Sequence, residues 1–270
     1  MKTLYISDLD GTLLHSDQRT SEFTNKAINE LTDKGMMFSY ATARSYSTAS
    51  KVTKGLFIEL PVIVYNGTFI VNGTNGQILQ SHSFSRHQAV TILSELIEGG
   101  IYPIVYSIIE GKECFSYLPR LMSREQNSFI KTRRGDRRER AVTDIQALFD
   151  GEIFYFTCID KAVRLGSYFD KYKDIYRCIY QSDIYTGEQW LEIMPEGATK
   201  GKAVKELAEM TGCDEIVAFG DSINDYEMMD TVDKAYAPQN ADKRIKHFSD
   251  GIIGSNNDDG VARFLLEHFK

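Results

Sequence analysis

The chain has 270 residues, more than one modest domain needs, so its length predicts one large α/β domain or two moderate ones. With 42% hydrophobic and 26% charged residues, and only 5 Pro and 20 Gly, it carries enough apolar material for a core, which excludes a disordered or collagen-like chain. Lysine and arginine total 31 against 38 acids, a formal net charge of -7, so no overall positive field draws it to nucleic acid or an anionic membrane.

The opening run Leu4-Tyr5-Ile6 is continuously apolar and ends at Ser7-Asp8, which predicts a strand buried on both faces, as in parallel sheets. Residues 21–34 carry Phe23, Ala27, Ile28 and Leu31 near helical spacing, with Lys34-Gly35 as a stop. A strand over 36–41, a weaker helix through Lys54 and a strand over 61–65 continue the alternation and predict a doubly wound sheet. Near residue 66 the rhythm changes: Phe69-Ile70-Val71 and Gln77-Ile78-Leu79 flank Asn72-Gly73-Thr74-Asn75-Gly76, the composition of a β-hairpin turn.

From Ser85 to about Gly187 the sequence predicts a helix, short strands over 101–106 and 114–117, a polar stretch, a helix near 143–149, and strand, helix, strand to Gln181. This reads as a separate α+β domain. After Trp190-Leu191-Glu192-Ile193-Met194-Pro195 the first pattern resumes, with a helix over 202–211, a strand over 215–219, a helix after Ser222 and a closing helix near 259–269. The expected fold class is therefore α/β: a doubly wound, Rossmann-like parallel-sheet core formed by residues 1–83 and 188–270, with an α+β cap domain, residues 84–187, inserted into it.

Cys114, Cys158, Cys178 and Cys213 lie far apart with no C-x-x-C pair, and the first residues lack the apolar run of a secretion signal, so a reduced, cytoplasmic chain is expected. The most apolar stretch, 101–109, is interrupted by Pro103 and Ser107 and is far shorter than the roughly 20 residues that span a bilayer. The basic run from Lys131 to Arg140 reads either as a solvated loop or as an electropositive rim for anionic substrates; the Arg134-Gly135-Asp136 within it carries no weight as an adhesion signal. The histidines His15, His82, His87, His247 and His268 show no ligand spacing. Trp190 and Tyr185 are expected to pack a hinge, and for Arg44 substrate contact and a structural ion pair both stand open.

Ligands of open α/β sheets bind beyond the carboxyl ends of the strands, and Asp8-Leu9-Asp10-Gly11-Thr12 follows the first one. Alternation along an extended segment points Asp8 and Asp10 the same way, while Gly11 allows a sharp turn with free backbone N–H groups. A second acidic cluster, Gly220-Asp221-Ser222-Ile223-Asn224-Asp225, follows the strand over 215–219; its two acidic residues are four apart, able to share a helical face. Four carboxylates in one cleft raise each other's pKa values unless a cation neutralises them. Oxygen ligands without His or Cys favour a hard ion, and Mg²⁺ fits better than zinc.

With these motifs the chain resembles the haloacid dehalogenase-superfamily phosphatases, specifically the Cof-type group with a large cap between the second and third motifs. Asp8-Leu9-Asp10-Gly11-Thr12 matches the first motif, Thr42 in Ala41-Thr42-Ala43-Arg44 the second, Lys200 in Gly197-Ala198-Thr199-Lys200-Gly201-Lys202 the third, and the segment 220–225 the fourth. Ala43 departs from the Gly of many relatives, which implies a slightly tighter phosphate loop.

The resemblance implies that Asp8 attacks phosphorus to form an aspartyl-phosphate and that Asp10 is the acid/base, its backbone carbonyl a metal ligand. Thr42 is implied to bind a phosphoryl oxygen, helped by backbone N–H groups of Leu9, Asp10 and Ala43. Lys200, in preference to Lys202, is implied to offset charge on the phosphoryl group and Asp8. Asp8, Asp10, Asp221 and Asp225 form the implied Mg²⁺ site, with Asp225 acting directly or through water, and Asn224 contacts phosphate or positions Lys200. The expected activity is Mg²⁺-dependent hydrolysis of small phosphorylated metabolites, sugar phosphates or similar, under a mobile cap that excludes water. The expected partner is such a metabolite, with no nucleic acid or membrane, on a monomer or small homo-oligomer. A phosphomutase or phosphotransferase would use the same intermediate. A phospho-acceptor signalling module would combine a similar pocket, but Asp10 and an insert of this size oppose it.

Overall fold

The structure, a computed structural model, describes residues 2–182 and 188–269, so Tyr185 lies outside the described residues. The chain divides into two compact units, Met1–Ser81 with Gly197–Lys270, and His82–Glu196. In the first unit β1 (Thr3–Ser7) leads to α1 (Glu22–Asp33), β2 (Met37–Tyr40), α2 (Tyr46–Val52) and β3 (Val62–Val64). Ser21 and Ser45 cap α1 and α2, accepting from the N–H groups of Thr24 and Thr48. A tight turn, Tyr65–Gly67, then reverses the chain into β4 (Phe69–Val71), which pairs antiparallel with both β3 and β5 (Ile78–Ser81).

The second unit comprises α3 (Arg86–Glu98), β6 (Ile104–Ile109), β7 (Lys112–Tyr117), α4 (Arg124–Lys131), β8 (Glu139–Ala141), β9 (Glu152–Asp160), α5 (Ala162–Tyr172), β10 (Arg177–Ser182) and β11 (Gln189–Met194). Its sheet runs β10-β11-β9-β6-β7-β8. Ile92, Leu93 and Leu96 of α3 and Leu165 of α5 pack with Phe156, Leu191 and Ile193 of the strands in one apolar cluster. β11 is where the structure departs from the expected boundary at 187/188: its Leu191 stands opposite Tyr180 and Cys158 in an antiparallel ladder, so the strand lies inside this sheet between β10 and β9. The basic run is also largely engaged. Arg138 is buried and pairs with Asp136 and Glu113, Arg140 pairs with Asp150, and Arg133 lies over the Phe129 ring.

The chain completes the first unit with α6 (Lys200–Thr211), β12 (Glu215–Phe219), α7 (Tyr226–Asp230), β13 (Lys234–Pro238), α8 (Lys243–Phe248), β14 (Gly251–Ile253) and α9 (Gly260–His268). Its parallel sheet runs β14-β13-β12-β1-β2, with Tyr5 opposite Val217 on one side and Phe38 on the other. Leu4, Ile6, Ile216 and Ala218 pack with Val204 and Leu207 of α6, as continuous apolar strands covered by helices require. β3 joins this sheet through one parallel bridge, Ala41 to Ile63, and a hydrogen bond from the Ser39 hydroxyl to the Pro61 carbonyl at 2.7 Å, while its other edge pairs with β4. Among the described residues, no helix is long and apolar enough to cross a membrane.

Candidate active site

The carboxyl ends of β1 and β12 are adjacent: Ser7 stands opposite Phe219, and the Asp8 N–H donates to the Phe219 carbonyl at 2.9 Å. Beyond β1 the chain enters an irregular turn, Leu9–Leu13, in which Asp10 (φ -73°, ψ 118°) and Gly11 (φ 78°) leave helical geometry. A Cβ on Gly11 would lie 2.4 Å from Asp221 Oδ2, so this position needs glycine for both its conformation and its bulk. Thr12 Oγ1 donates to Asp221 Oδ1 at 3.1 Å, and Asn240 Nδ2 donates to the Gly11 carbonyl at 2.7 Å.

α6 supplies Lys200 in its first turn, just after the Thr199 cap, whose hydroxyl accepts from the Lys202 N–H. The positive end of a helix disfavours a cation there, so helix stability does not account for the lysine. Two carboxylates do. Lys200 Nζ donates to Asp8 Oδ1 at 2.6 Å and to Asp225 Oδ1 at 2.7 Å, with Lys200 only 2% exposed. Lys202 is exposed.

Asp225 is fully buried, and its Oδ2 accepts from the backbone N–H groups of Asp221 and Ser222, each at 3.1 Å. α7 begins only at Tyr226, so the expected helical face shared by Asp221 and Asp225 does not form; the loop curls around the Asp225 carboxylate instead. Asp8, Asp221 and Asp225 each offer an oxygen to a group whose ligand atoms all lie within 4.8 Å of one another. Burial, then the Asp225 charge, pushes Asp221 up to about 7 and raises Asp8 against the pull of Lys200. Burial would lower the Lys200 ammonium, but Asp225 and Asp8 outweigh it and hold it raised. Three ionised carboxylates facing one ammonium would leave two negative charges unbalanced, which adds to burial in raising Asp8 and Asp221, and an all-oxygen donor set suits a hard divalent cation.

The expected convergence of four carboxylates is corrected at Asp10. Its half-exposed side chain is gripped by Arg44, whose Nε donates to Oδ2 and Nη2 to Oδ1, and it is not among the three clustered acids. Alternation fails because the chain turns at Leu9 instead of staying extended. Arg44, open between two readings in the sequence, forms an ion pair.

Thr42 is fully buried; its N–H donates to the Ile63 carbonyl and its Oγ1 accepts from the Arg44 N–H at 3.1 Å, which leaves the hydroxyl proton to donate. Ala43 is exposed, whereas the Leu9 side chain is buried and only its backbone can meet a ligand. Asn224 accepts from the Ser222 hydroxyl through Oδ1. Sequence reasoning missed Asn240 and Asp242, whose N–H donates to the Asp221 carbonyl at 2.9 Å. Both follow β13, a strand with too little apolar alternation to be read.

A sequence model of the family described as haloacid dehalogenase-like hydrolase matches residues 5–265. The chain belongs to the haloacid dehalogenase-like hydrolases. Among curated proteins of similar sequence is the 5-amino-6-(5-phospho-D-ribitylamino)uracil phosphatase YitU of Bacillus subtilis, 24% identical over 97% of this chain and 96% of that protein. The phosphatase YwpJ of the same organism is 27% identical over 98% of this chain and 99% of its own. In structure, the haloacid dehalogenase-like chain is similar to TM0651 from Thermotoga maritima, with a TM-score of 0.81 and 24% identity over 100% of this chain and 98% of that one. It is also similar to BT4131, described as a HAD subclass IIB sugar phosphatase, with a TM-score of 0.73 and 18% identity over 99% of this chain and 98% of that one.

Proposed function

We propose that this hydrolase is a Mg²⁺-dependent phosphomonoesterase of small phosphorylated metabolites, sugar phosphates or similar, working through phosphorylated Asp8. The observation that carries the reading is Asp8 itself: a buried carboxylate at a strand end, with one oxygen on Lys200 and two further acids beside it. The names of the curated relatives support phosphate ester substrates.

Asp8 Oδ1 is committed to Lys200, which leaves Oδ2 as the attacking atom. Attack forms the Oδ2–P bond and breaks the ester P–O bond, and Asp10 in its acid form gives its proton to the departing alcohol oxygen. Asp10, now a carboxylate, takes a proton from water; the resulting hydroxide attacks phosphorus, the Asp8–P bond breaks and inorganic phosphate leaves. Both Asp10 oxygens rest on Arg44, so each proton transfer requires that one of those hydrogen bonds be given up. The Thr42 hydroxyl holds a phosphoryl oxygen, backbone N–H groups of Leu9, Asp10 and Ala43 assist, and Lys200 offsets the charge that builds on the phosphoryl group. Asn224 keeps the fourth-motif loop in place through Ser222.

Asp8, Asp221 and the Asp10 carbonyl would hold the Mg²⁺, with Asp225 behind them. When bound, the ion supplies the positive charge that lets a carboxylate approach a phosphate dianion. The test is phosphate release from a panel of sugar phosphates, nucleotides, pyridoxal phosphate and an aryl phosphate, with Mg²⁺ or with chelator. Release that requires Mg²⁺ and falls by about 10⁴ or more in a folded Asp8→Asn variant supports the reading. Near-wild-type release by Asp8→Asn rejects it.

A further inference from the structure

The turn joining β3 to β4 holds three residues in the left-handed backbone region. Tyr65 (φ 51°), Asn66 (φ 54°) and Gly67 (φ 98°) are three successive left-handed residues, and the first two carry side chains that disfavour this region. Asparagine is tolerated there because its amide ordinarily bonds the nearby backbone. Here it does not: Asn66 is 5% exposed, yet neither Oδ1 nor Nδ2 has a hydrogen-bond partner among the described residues. A buried amide without a protein partner calls for a water or a ligand to pair it, because leaving it unpaired costs folding free energy.

The surroundings of the turn belong to the catalytic end of the unit. The Asn66 N–H donates to the Thr42 carbonyl at 3.0 Å, and the Tyr65 N–H donates to the Arg44 carbonyl at 3.0 Å. On its other side, a Cβ on Gly67 would lie 2.2 Å from the Thr199 carbonyl oxygen and 3.0 Å from the Lys200 nitrogen. The backbone of the turn that carries Asn66 is thus held between the loop bearing Thr42 and the helix start bearing Lys200.

We propose that Asn66 is a further phosphoryl-binding residue, its Nδ2 donating to an oxygen of the group held by Thr42 and Lys200. The inference rests on the phosphatase reading above and adds a ligand to it. It explains why an energetically costly turn and an unpaired amide coincide, since strain of this kind is retained where a ligand repays it. One backbone hydrogen bond, from the Asn66 N–H to the Thr42 carbonyl, ties the turn that bears the amide to the loop that bears the Thr42 hydroxyl.

The test compares Asn66→Gly, which keeps left-handed freedom and removes the amide, with Asn66→Asp, which keeps the shape and replaces the donor by an acceptor. Each is measured with Mg²⁺ for thermal midpoint, for the dissociation constant of inorganic phosphate, and for kcat and KM on the best phosphate ester of the panel. The expected result is a Gly variant melting at or above the wild type but binding inorganic phosphate about 10-fold or more weaker, with the Asp variant weaker still and KM raised in both. Folded variants that bind phosphate as the wild type does would overturn the inference and leave the phosphatase reading standing, the amide then serving only the turn or a structural water. Failure of both variants to fold would overturn it too, by making the amide a structural requirement. A wild type that neither binds inorganic phosphate nor releases it from any ester would reject the phosphatase reading and this inference with it.

Discussion

Arg44 grips Asp10 through both carboxylate oxygens, Nε to Oδ2 at 2.7 Å and Nη2 to Oδ1 at 2.5 Å, while Nη2 also reaches Gln18 Oε1 at 3.1 Å. The pair joins the turn after β1 to the loop after β2 and holds the proposed acid/base in one orientation. A lysine cannot reproduce a planar two-point grip. Arg44→Lys is therefore expected to lower kcat/KM by roughly 10- to 100-fold while the thermal midpoint stays nearly constant, because an ion pair with a half-exposed carboxylate adds only about 0–1 kcal/mol of stability. Unchanged steady-state kinetics would show that the grip does not matter to turnover.

Lys200 is the only cation in hydrogen-bonding contact with Asp8 and Asp225 among the described residues. Lys200→Met leaves two buried carboxylates uncompensated and is expected to cost about 3–5 kcal/mol near neutral pH, read from denaturant unfolding. The cost should shrink on acidification, since protonating the carboxylates removes the uncompensated charge. A pH-independent cost would mean that packing of the lysine stem, not its charge, is what the substitution removes.

Gly11 faces Asp221 at a distance no Cβ can occupy. Gly11→Ala must both strain a left-handed residue and displace the Asp221 carboxylate, with an expected loss of about 1–3 kcal/mol. Because Asp221 is one of the three clustered acids, the same variant should show a smaller rise of thermal midpoint on adding Mg²⁺ than the wild type. Equal midpoint shifts in the two proteins would remove Asp221 from the metal site.

Glu192, on β11 of the second unit, is pushed up to about 7 by burial, against a hydrogen bond from Tyr155 that works in the opposite direction. A carboxyl whose folded value exceeds its unfolded one contributes stability that is fully present below about 4.5 and is lost as pH rises through about 7. Glu192→Gln should thus match the wild type in stability near pH 4.5 and exceed it at pH 8. Parallel stability profiles from pH 4.5 to 8 for the two proteins would contradict this.

Periodicity was enough to read the parallel α/β core, the insertion of a second unit, and Asp8, Asp221 and Asp225 as candidates, because buried parallel strands leave continuous apolar runs and their polar ends follow at once; Thr42 and Lys200 became candidates only through the resemblance of their motifs. Lys200 was separable from Lys202 only by resemblance; in the structure, two carboxylates on one ammonium make the distinction physical. Other features had no local signal. β11 reads as an apolar strand in either unit, and its antiparallel ladder to β9 and β10 decides where it belongs. Alternation put Asp10 beside Asp8, but the turn at Leu9 and the reach of Arg44 across the loops send its carboxylate elsewhere. Asn66 stands in an ordinary Asn-Gly turn in the sequence, and only the folded chain shows that its amide is buried without a protein partner in a turn whose backbone bonds the Thr42 carbonyl. A sequence determines local conformation through short-range sterics and burial period, whereas the partner of a charged or amide group is chosen by elements that meet only when the chain has folded.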